Sequence, residues 1–458
     1  MFKFKFSDLD LEDDGSRNRV MDKVMVGDAE MTAESMASSC HEQGDSAHDL
    51  EDRSQNTSIS QARARELSID ELVQALPPVF SYSPLVIPPS SSEEAIETSD
   101  SSIPGSRKLE SKKSRKELSV TLLRRDLFDA RYQLISETAT DANISTSEST
   151  SGPTRTDDTD DVLRLIDNPS DLVPGVYEGG LKTWECSLDL VGYLSGLDLE
   201  EKVEGSVGWL RGKRAIEIGC GTAIPSLYLL HVLFSHPQNT NSKSDTNAGW
   251  TEIVLQDYNG LVLRLVTFPN VLLTWYASPL AETYRTQHAP LDEGEEATAA
   301  AFDQPGDLQI TPELLTAFRT SLEEHRITIR FIAGSWRSLA DYNSNVCTFP
   351  FDITLTSETI YQTSSLPSLI ALLKRCASST SGNEDDIATR TQELSIEETG
   401  RRRGRGLLCL VAAKVLYFGV GGGVIEFESA VREAGGEMST ILERKTGVGR
   451  RVVSVEWT

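Results

Sequence analysis

The chain has 458 residues, long enough for two or three domains, and its 70 Asp and Glu against 44 Lys and Arg leave a net charge of -26. So acidic a surface repels free RNA and DNA and favours a basic partner, which removes nucleic acid from the expected substrates. Six cysteines without C-x-x-C spacing and six histidines without an H-E-x-x-H pattern indicate no metal site. No run approaches the ~18 apolar residues needed to cross a bilayer, so the expected setting is intracellular, away from membranes, with reduced thiols.

Residues 1–168 are dominated by Ser, Thr, Asp, Glu and Gln, with polar tracts such as Asn143 to Asp160 that bury too little apolar surface to order themselves. This acidic N-terminal region is expected to be mostly disordered. Three islands interrupt it: the alternating Phe2, Phe4 and Phe6; E-L-S-I-D-E-L-V-Q-A-L-P-P from Glu66; and R-R-D-L-F-D-A-R-Y-Q-L-I from Arg124. The last two have helical apolar spacing, which suits docking to a partner or to the folded domain, and equally suits transient helices.

From Asp171 the texture changes to D-L-V-P-G-V-Y-E-G-G-L-K-T-W-E-C, and the folded domain is expected to occupy 169–458. Thr183 to Leu194 has helical intervals, with Trp184, Glu185 and Asp189 near its start; a Trp there fits either a core position or a ligand wall. The stretch R-A-I-E-I-G-C-G-T-A-I-P-S from Arg214 then reads as strand, glycine turn and helix. Gly219 and Gly221 offer bare backbone at a helix N-terminus, a cradle suited to a nucleotide. The dinucleotide pattern G-x-G-x-x-G fits poorly, because its third glycine position is Ile224 and the next acid at a strand end is Asp257.

A polar insertion near 236–250 precedes the strand Glu252 to Gln256, whose end at Asp257 suits either a ribose grip through two acceptor oxygens or a helix cap. Leu261 to Tyr276 is expected to be a helix kinked near Pro269. After an acidic insertion near 282–310, a helix over Thr311 to His325 leads into the strand Ile327 to Ala333 and the small-plus-aromatic exit Gly334, Ser335 and Trp336, open to a flat ring or simply a loop exit. Phe351 to Tyr361 is expected to be a doubly buried strand ending in Ser357 and Glu358, on the same side of a parallel sheet as Gly219 and Asp257. A helix over Leu366 to Cys376, an insertion near 377–405, the strand Leu407 to Ala413, a glycine-rich lip from Lys414 to Val424 and a terminal hairpin complete the chain.

Taken in order, D-L-V-P-G-V-Y-E-G-G-L-K-T-W-E-C, E-I-G-C-G-T, Q-D-Y-N, G-S-W, T-S-E-T-I-Y and K-V-L-Y-F-G-V-G-G-G-V cover Asp171 to about Phe427. This series resembles the protein-histidine N-methyltransferase family, the eukaryotic seven-strand enzymes that modify a histidine of a ribosomal protein. The resemblance implies a Rossmann-like α/β sheet of seven strands with helices on both faces. It implies S-adenosyl-L-methionine held by Thr183, Trp184, Glu185, Cys186 and Ser187, by Glu217, Gly219 and Gly221, by Gln256, Asp257 and Tyr258, by Gly334, Ser335 and Trp336, and by Ser357. Glu358, with Glu185, is expected to orient the acceptor imidazole or take its proton, while Lys414, Tyr417, Gly421 and Gly422 form the substrate side. The expected substrate is ribosomal protein three of the large subunit, methylated at the tele nitrogen, with a monomeric enzyme in cytoplasm and nucleus. Ala223 stands where relatives often carry Gly, and Ser335 replaces a common Asp, a change expected to weaken cofactor affinity. Lysine or small-molecule methyl transfer and a non-catalytic scaffold are the alternative readings.

Overall fold

The computed structural model describes residues 63–88, 119–144, 179–201, 209–237, 249–288, 302–341, 345–378, 408–417 and 421–457. Its strands, in chain order, are β1 (Arg65–Leu67), β2 (Val79–Ile87), β3 (Val120–Arg125), β4 (Arg214–Ile218), β5 (Thr251–Asp257), β6 (Gly306–Gln309), β7 (Ile327–Ala333), β8 (Ile353–Ser357), β9 (Leu408–Lys414), β10 (Gly436–Arg444) and β11 (Arg450–Trp457). Eight of them form one sheet in the order β1-β7-β5-β4-β8-β9-β11-β10. The run β7-β5-β4-β8-β9 is parallel, and β11 and β1 pair antiparallel at its two sides.

Alternation along the strands sends successive side chains to opposite faces. Ile253 and Leu255 of β5 pack in one core with the helices Glu185–Glu201, Ile224–Ser235, Phe268–Tyr276 and Pro312–Glu324. Val254, between them, joins a second core with the helices Leu366–Ala377 and Val424–Glu433. The sheet is thus covered on both faces, as its continuous apolar strands require. Neighbours of β4 lead away in opposite senses, to β5 and β7 on one side and to β8 and β9 on the other. Strand order therefore reverses at β4, and the carboxyl ends there open a crevice.

Three expectations are corrected. Among the described residues the sheet has eight strands rather than seven, because β1, in a segment assigned to the disordered region, pairs with the edge strand β7 (Arg65↔Ala333 to Leu67↔Phe331). The fold accordingly begins well before Asp171: β2 and β3 form a second sheet, ordered β3-β2-β6, with a strand from the expected insertion near 282–310. Phe80, Ile87, Leu122 and Leu123 bury in the same core as the helices above. Arg125 anchors this part from within, donating to Asp129 at 2.6 Å and to the Leu265 carbonyl at 2.8 Å. Finally, the irregularity expected at Pro269 lies one turn earlier, as a π-helical turn over Leu263–Thr267, while Pro269 occupies the tolerated first turn of the helix Phe268–Tyr276. The Phe2, Phe4 and Phe6 island, the stretch 171–178 and most of the expected insertions at 236–250 and 377–405 lie outside the described residues.

Candidate active site

The turn after β4 is built so that nothing but glycine fits at two places. Gly219 has φ 63°, and a Cβ there would lie 2.7 Å from the Thr359 methyl; Gly221 has φ 51°, and its Cβ would lie 3.0 Å from the Gly180 carbonyl oxygen. The turn therefore presents backbone to a cleft, continuous with solvent, beside Trp184, Asp257, Tyr258, Trp336, Ser357 and Glu358. Carboxyl ends of β4, β5 and β8 and the exit from β7 thus meet at one hollow. Ala223, where the resemblance led us to expect a glycine, caps the following helix at φ 59°, a left-handed conformation that costs a side-chain-bearing residue about 1–2 kcal/mol.

Gln256 ties three of these tips together. Its Oε1 accepts from the Gly219 amide and from Trp336 Nε1, each at 3.1 Å, and its Nε2 donates to the Gly334 carbonyl at 2.8 Å. The side chain is fully buried, so it holds the walls of the cleft without lining it. Asp257 is used on both oxygens, Oδ2 accepting from the Gly221 amide at 2.9 Å and Oδ1 from the Asn259 amide at 3.0 Å. Ser335 accepts from the Ser338 amide at 3.2 Å as a helix cap, and it does not line the cleft.

Glu217 takes a different place from the one expected. It is fully buried, and its Oε2 accepts from the Ser226 amide at 2.9 Å, which ties the strand to the helix behind the turn. Burial, helped by the nearby Asp257 charge and opposed by the Ser226 bonds, pushes its carboxyl up to about 8. Thr183 bonds Thr222 at 3.2 Å, and Cys186 is wholly buried, so both support the cleft from outside its lining.

The other end of the cleft is organised by Glu358, whose φ of 57° is unusual for a residue with a side chain. Its carboxylate is 7% exposed; Oε2 accepts from the Tyr417 hydroxyl at 2.6 Å, and Oε1 has no hydrogen-bond donor. Lys414 Nζ lies 3.7 Å from that Oε1, 4.0 Å from Glu185 Oε2 and 4.9 Å from the centre of the Trp184 ring. Tyr417, expected on a substrate lip, instead braces Glu358 from behind. Of the two glycines expected beside it, Gly421 is exposed and bridges to Gln362, whereas a Cβ on Gly422 would strike the Tyr361 carbonyl oxygen at 2.3 Å.

No known family model matches the chain. Relatives are nonetheless extensive in sequence: histidine protein methyltransferase 1 of Schizosaccharomyces pombe is 31% identical over 345 residues, 73% of this chain and 76% of the relative. The chain belongs to the histidine protein methyltransferase family. The Saccharomyces cerevisiae methyltransferase 1 is 33% identical over 312 residues, 67% of this chain and 68% of the relative. A Dictyostelium discoideum homolog is 27% identical over 298 residues, covering 64% and 63% of the two chains. Among solved structures, a magnesium protoporphyrin IX methyltransferase from Synechocystis PCC 6803 with bound SAM covers 68% of this chain and 87% of its own at 8% identity and a TM-score of 0.26, too loose to align residues.

Several residues of this methyltransferase line the cleft that the sequence reading did not assign to it, although each lies inside one of the quoted motifs: Gly179, Lys182, Thr222, Asn259, Thr359 and Tyr361. Thr359 and Tyr361 lay inside the motif T-S-E-T-I-Y, and their offsets from Glu358 were the available sign. The buried Asp189, which accepts from Arg444 at 3.2 Å and Arg450 at 2.6 Å, had no local sign, because both arginines arrive from the distant terminal hairpin.

Proposed function

We propose that this protein-histidine methyltransferase binds S-adenosyl-L-methionine in the cleft beside Gly219, Asp257, Trp336 and Ser357, and methylates the tele nitrogen of a histidine in ribosomal protein three of the large subunit. The observation that carries the reading is the cradle itself, where a Cβ at Gly219 or Gly221 would fill the backbone approach. The cleft lining suits the cofactor: Asp257 places a carboxylate, the group a ribose diol donates to, and Trp184 and Trp336 supply aromatic walls. When bound, S-adenosyl-L-methionine supplies a methyl group on a sulfonium, which takes the imidazole lone pair and leaves a neutral thioether.

The residues of the chain have the remaining work. Neutral imidazole, with an unperturbed pKa near ~6.5, already carries one free lone pair at neutral pH, so orientation matters more than base strength. Glu358 has an acceptor oxygen without a hydrogen-bond donor; it accepts a hydrogen bond from Nδ1–H of the acceptor, which fixes the tautomer and points Nε2 at the methyl, and it takes that proton from the methylimidazolium once the methyl has moved. Trp184 and Tyr361 supply aromatic walls to the cleft that holds the reacting nitrogen. The acidic surface favours a basic ribosomal protein by charge. Incubation with isotopically labelled cofactor and dissociated large-subunit proteins, followed by hydrolysis of the labelled band, tests this. Labelled methylhistidine in ribosomal protein three is expected; label in another protein, or on another amino acid, overturns the substrate assignment.

A further inference from the structure

Histidine methylation sets a conflict at the acceptor. A carboxylate that accepts Nδ1–H fixes the tautomer, but a lone carboxylate also raises the imidazole pKa, and imidazolium has no lone pair with which to attack. The surroundings of Glu358 answer that conflict. Lys414 Nζ is 3.7 Å from Oε1, too far to occupy the oxygen with a hydrogen bond and near enough to balance its charge. The ammonium is itself held away from solvent, 14% exposed, over Trp184 and between Glu358 and Glu185.

We propose that Lys414 is a positioning residue that cancels the charge of Glu358, so that this carboxylate orients the acceptor imidazole without protonating it. The proposal rests on the histidine-acceptor reading above. Most other groups around the cluster are matched or neutral, and Lys182, a second cation, lies 5.5 Å over the same Trp184 ring. From the helix Glu185–Glu201, Asp189 is paired with Arg444 of β10 and Arg450 of β11, and Glu185 lies 3.8 Å from Arg450 Nη1 as well as near Lys414. Burial first, and then the Glu358 charge, push the Cys186 thiol and the Tyr417 hydroxyl well above their ordinary ranges, so both stay protonated. Tyr361, beyond Glu358 on its own loop, contacts the Tyr417 ring edge-on and carries no charge at neutral pH. Among the described residues, Lys414 is the cation in ion-pair range of Glu358.

The test reads the acceptor directly. Ribosomal protein three carrying labelled histidine is bound to the full chain with S-adenosylhomocysteine, and the pKa of the target imidazole is followed by NMR; the acid limb of kcat is measured alongside. K414M is expected to raise the bound imidazole pKa, and with it the acid limb, by about one unit or more relative to wild type. K414R should keep both near wild type, and E358Q should move both downward, because the cation is then uncompensated. A K414M protein that melts and binds S-adenosylhomocysteine like wild type, yet leaves the imidazole pKa unmoved, overturns the proposal. If K414M fails to fold, K414Q decides, and the absence of an upward shift overturns it equally. Methylhistidine formed by wild type alongside unshifted variants refutes only the role of Lys414, whereas a wild type that forms none refutes the acceptor reading beneath it.

Discussion

Replacing Gln256 with leucine tests whether the cleft is held together by one side chain. Leucine fits the buried volume but removes an acceptor for the Gly219 amide and Trp336 Nε1, and a donor for the Gly334 carbonyl. At roughly 1 kcal/mol or slightly more for each stranded partner, the loss is about 3–4 kcal/mol. A domain of this kind should then melt roughly 5–10 °C lower. Because the freed partners sit at the tips of β4 and β7, S-adenosylhomocysteine affinity should fall by at least about tenfold, each factor of ten being ~1.4 kcal/mol. Differential scanning calorimetry and titration calorimetry measure both. A melting temperature within a degree of wild type, or unchanged cofactor affinity, would show that Gln256 is a passenger and that the tips are fixed by something else.

Other consequences are open to similar checks. Ala223→Gly should stabilise the protein by about 1 kcal/mol in denaturant melts, since the left-handed cap suits glycine; a loss of stability would contradict the assigned strain. Gly219→Ala should abolish measurable cofactor binding while leaving the far-ultraviolet dichroism of the sheet in place, because its Cβ meets Thr359 at the cleft and not in the core. Asp189→Ala removes the carboxylate that Arg444 and Arg450 share in a mostly buried site and should cost about 3–5 kcal/mol by denaturant midpoint; a change below ~1 kcal/mol would mean the hairpin is held by packing alone. Glu217, raised to about 8 when folded from an ordinary value of 4.5, binds a proton more tightly in the native state. Its contribution is therefore full below the unfolded value and declines as pH rises toward 8, so Glu217→Gln, which mimics the protonated form, should gain stability relative to wild type between pH 5 and pH 8. A constant difference across that window would remove the argument for a proton on Glu217.

Much of the methyltransferase sheet was legible because its signs are local. In β4 and the turn after it, two isoleucines, two glycines and a proline announce strand, turn and helix within a dozen residues, and the same holds for β5 with Asp257 and β8 with Glu358. What was missed depends on pairing across long separations. β1 is three residues long and is fixed by β7, more than 250 residues away, while β2 finds one neighbour in β3 and the other in β6 inside an expected insertion. A local sign was present even there: Ser68 and Glu71 form a reciprocal capping box at the start of the helix Ile69–Gln74. Side-chain direction was the second limit. Sequence placed Glu217, Gln256 and Tyr417 at the right end of the sheet, but whether a residue at a strand tip faces the ligand or braces a neighbour depends on packing that no short window contains.

The most direct measurement of the central claim is amino-acid analysis of the product formed from labelled S-adenosyl-L-methionine and ribosomal protein three by wild type and by Asp257→Ala. Methylhistidine from wild type and its loss from the variant, with the fold retained, is the expected result. Methyllysine from wild type, or methylhistidine undiminished when Asp257 is removed, would contradict histidine methylation in the cleft between β4, β5, β7 and β8.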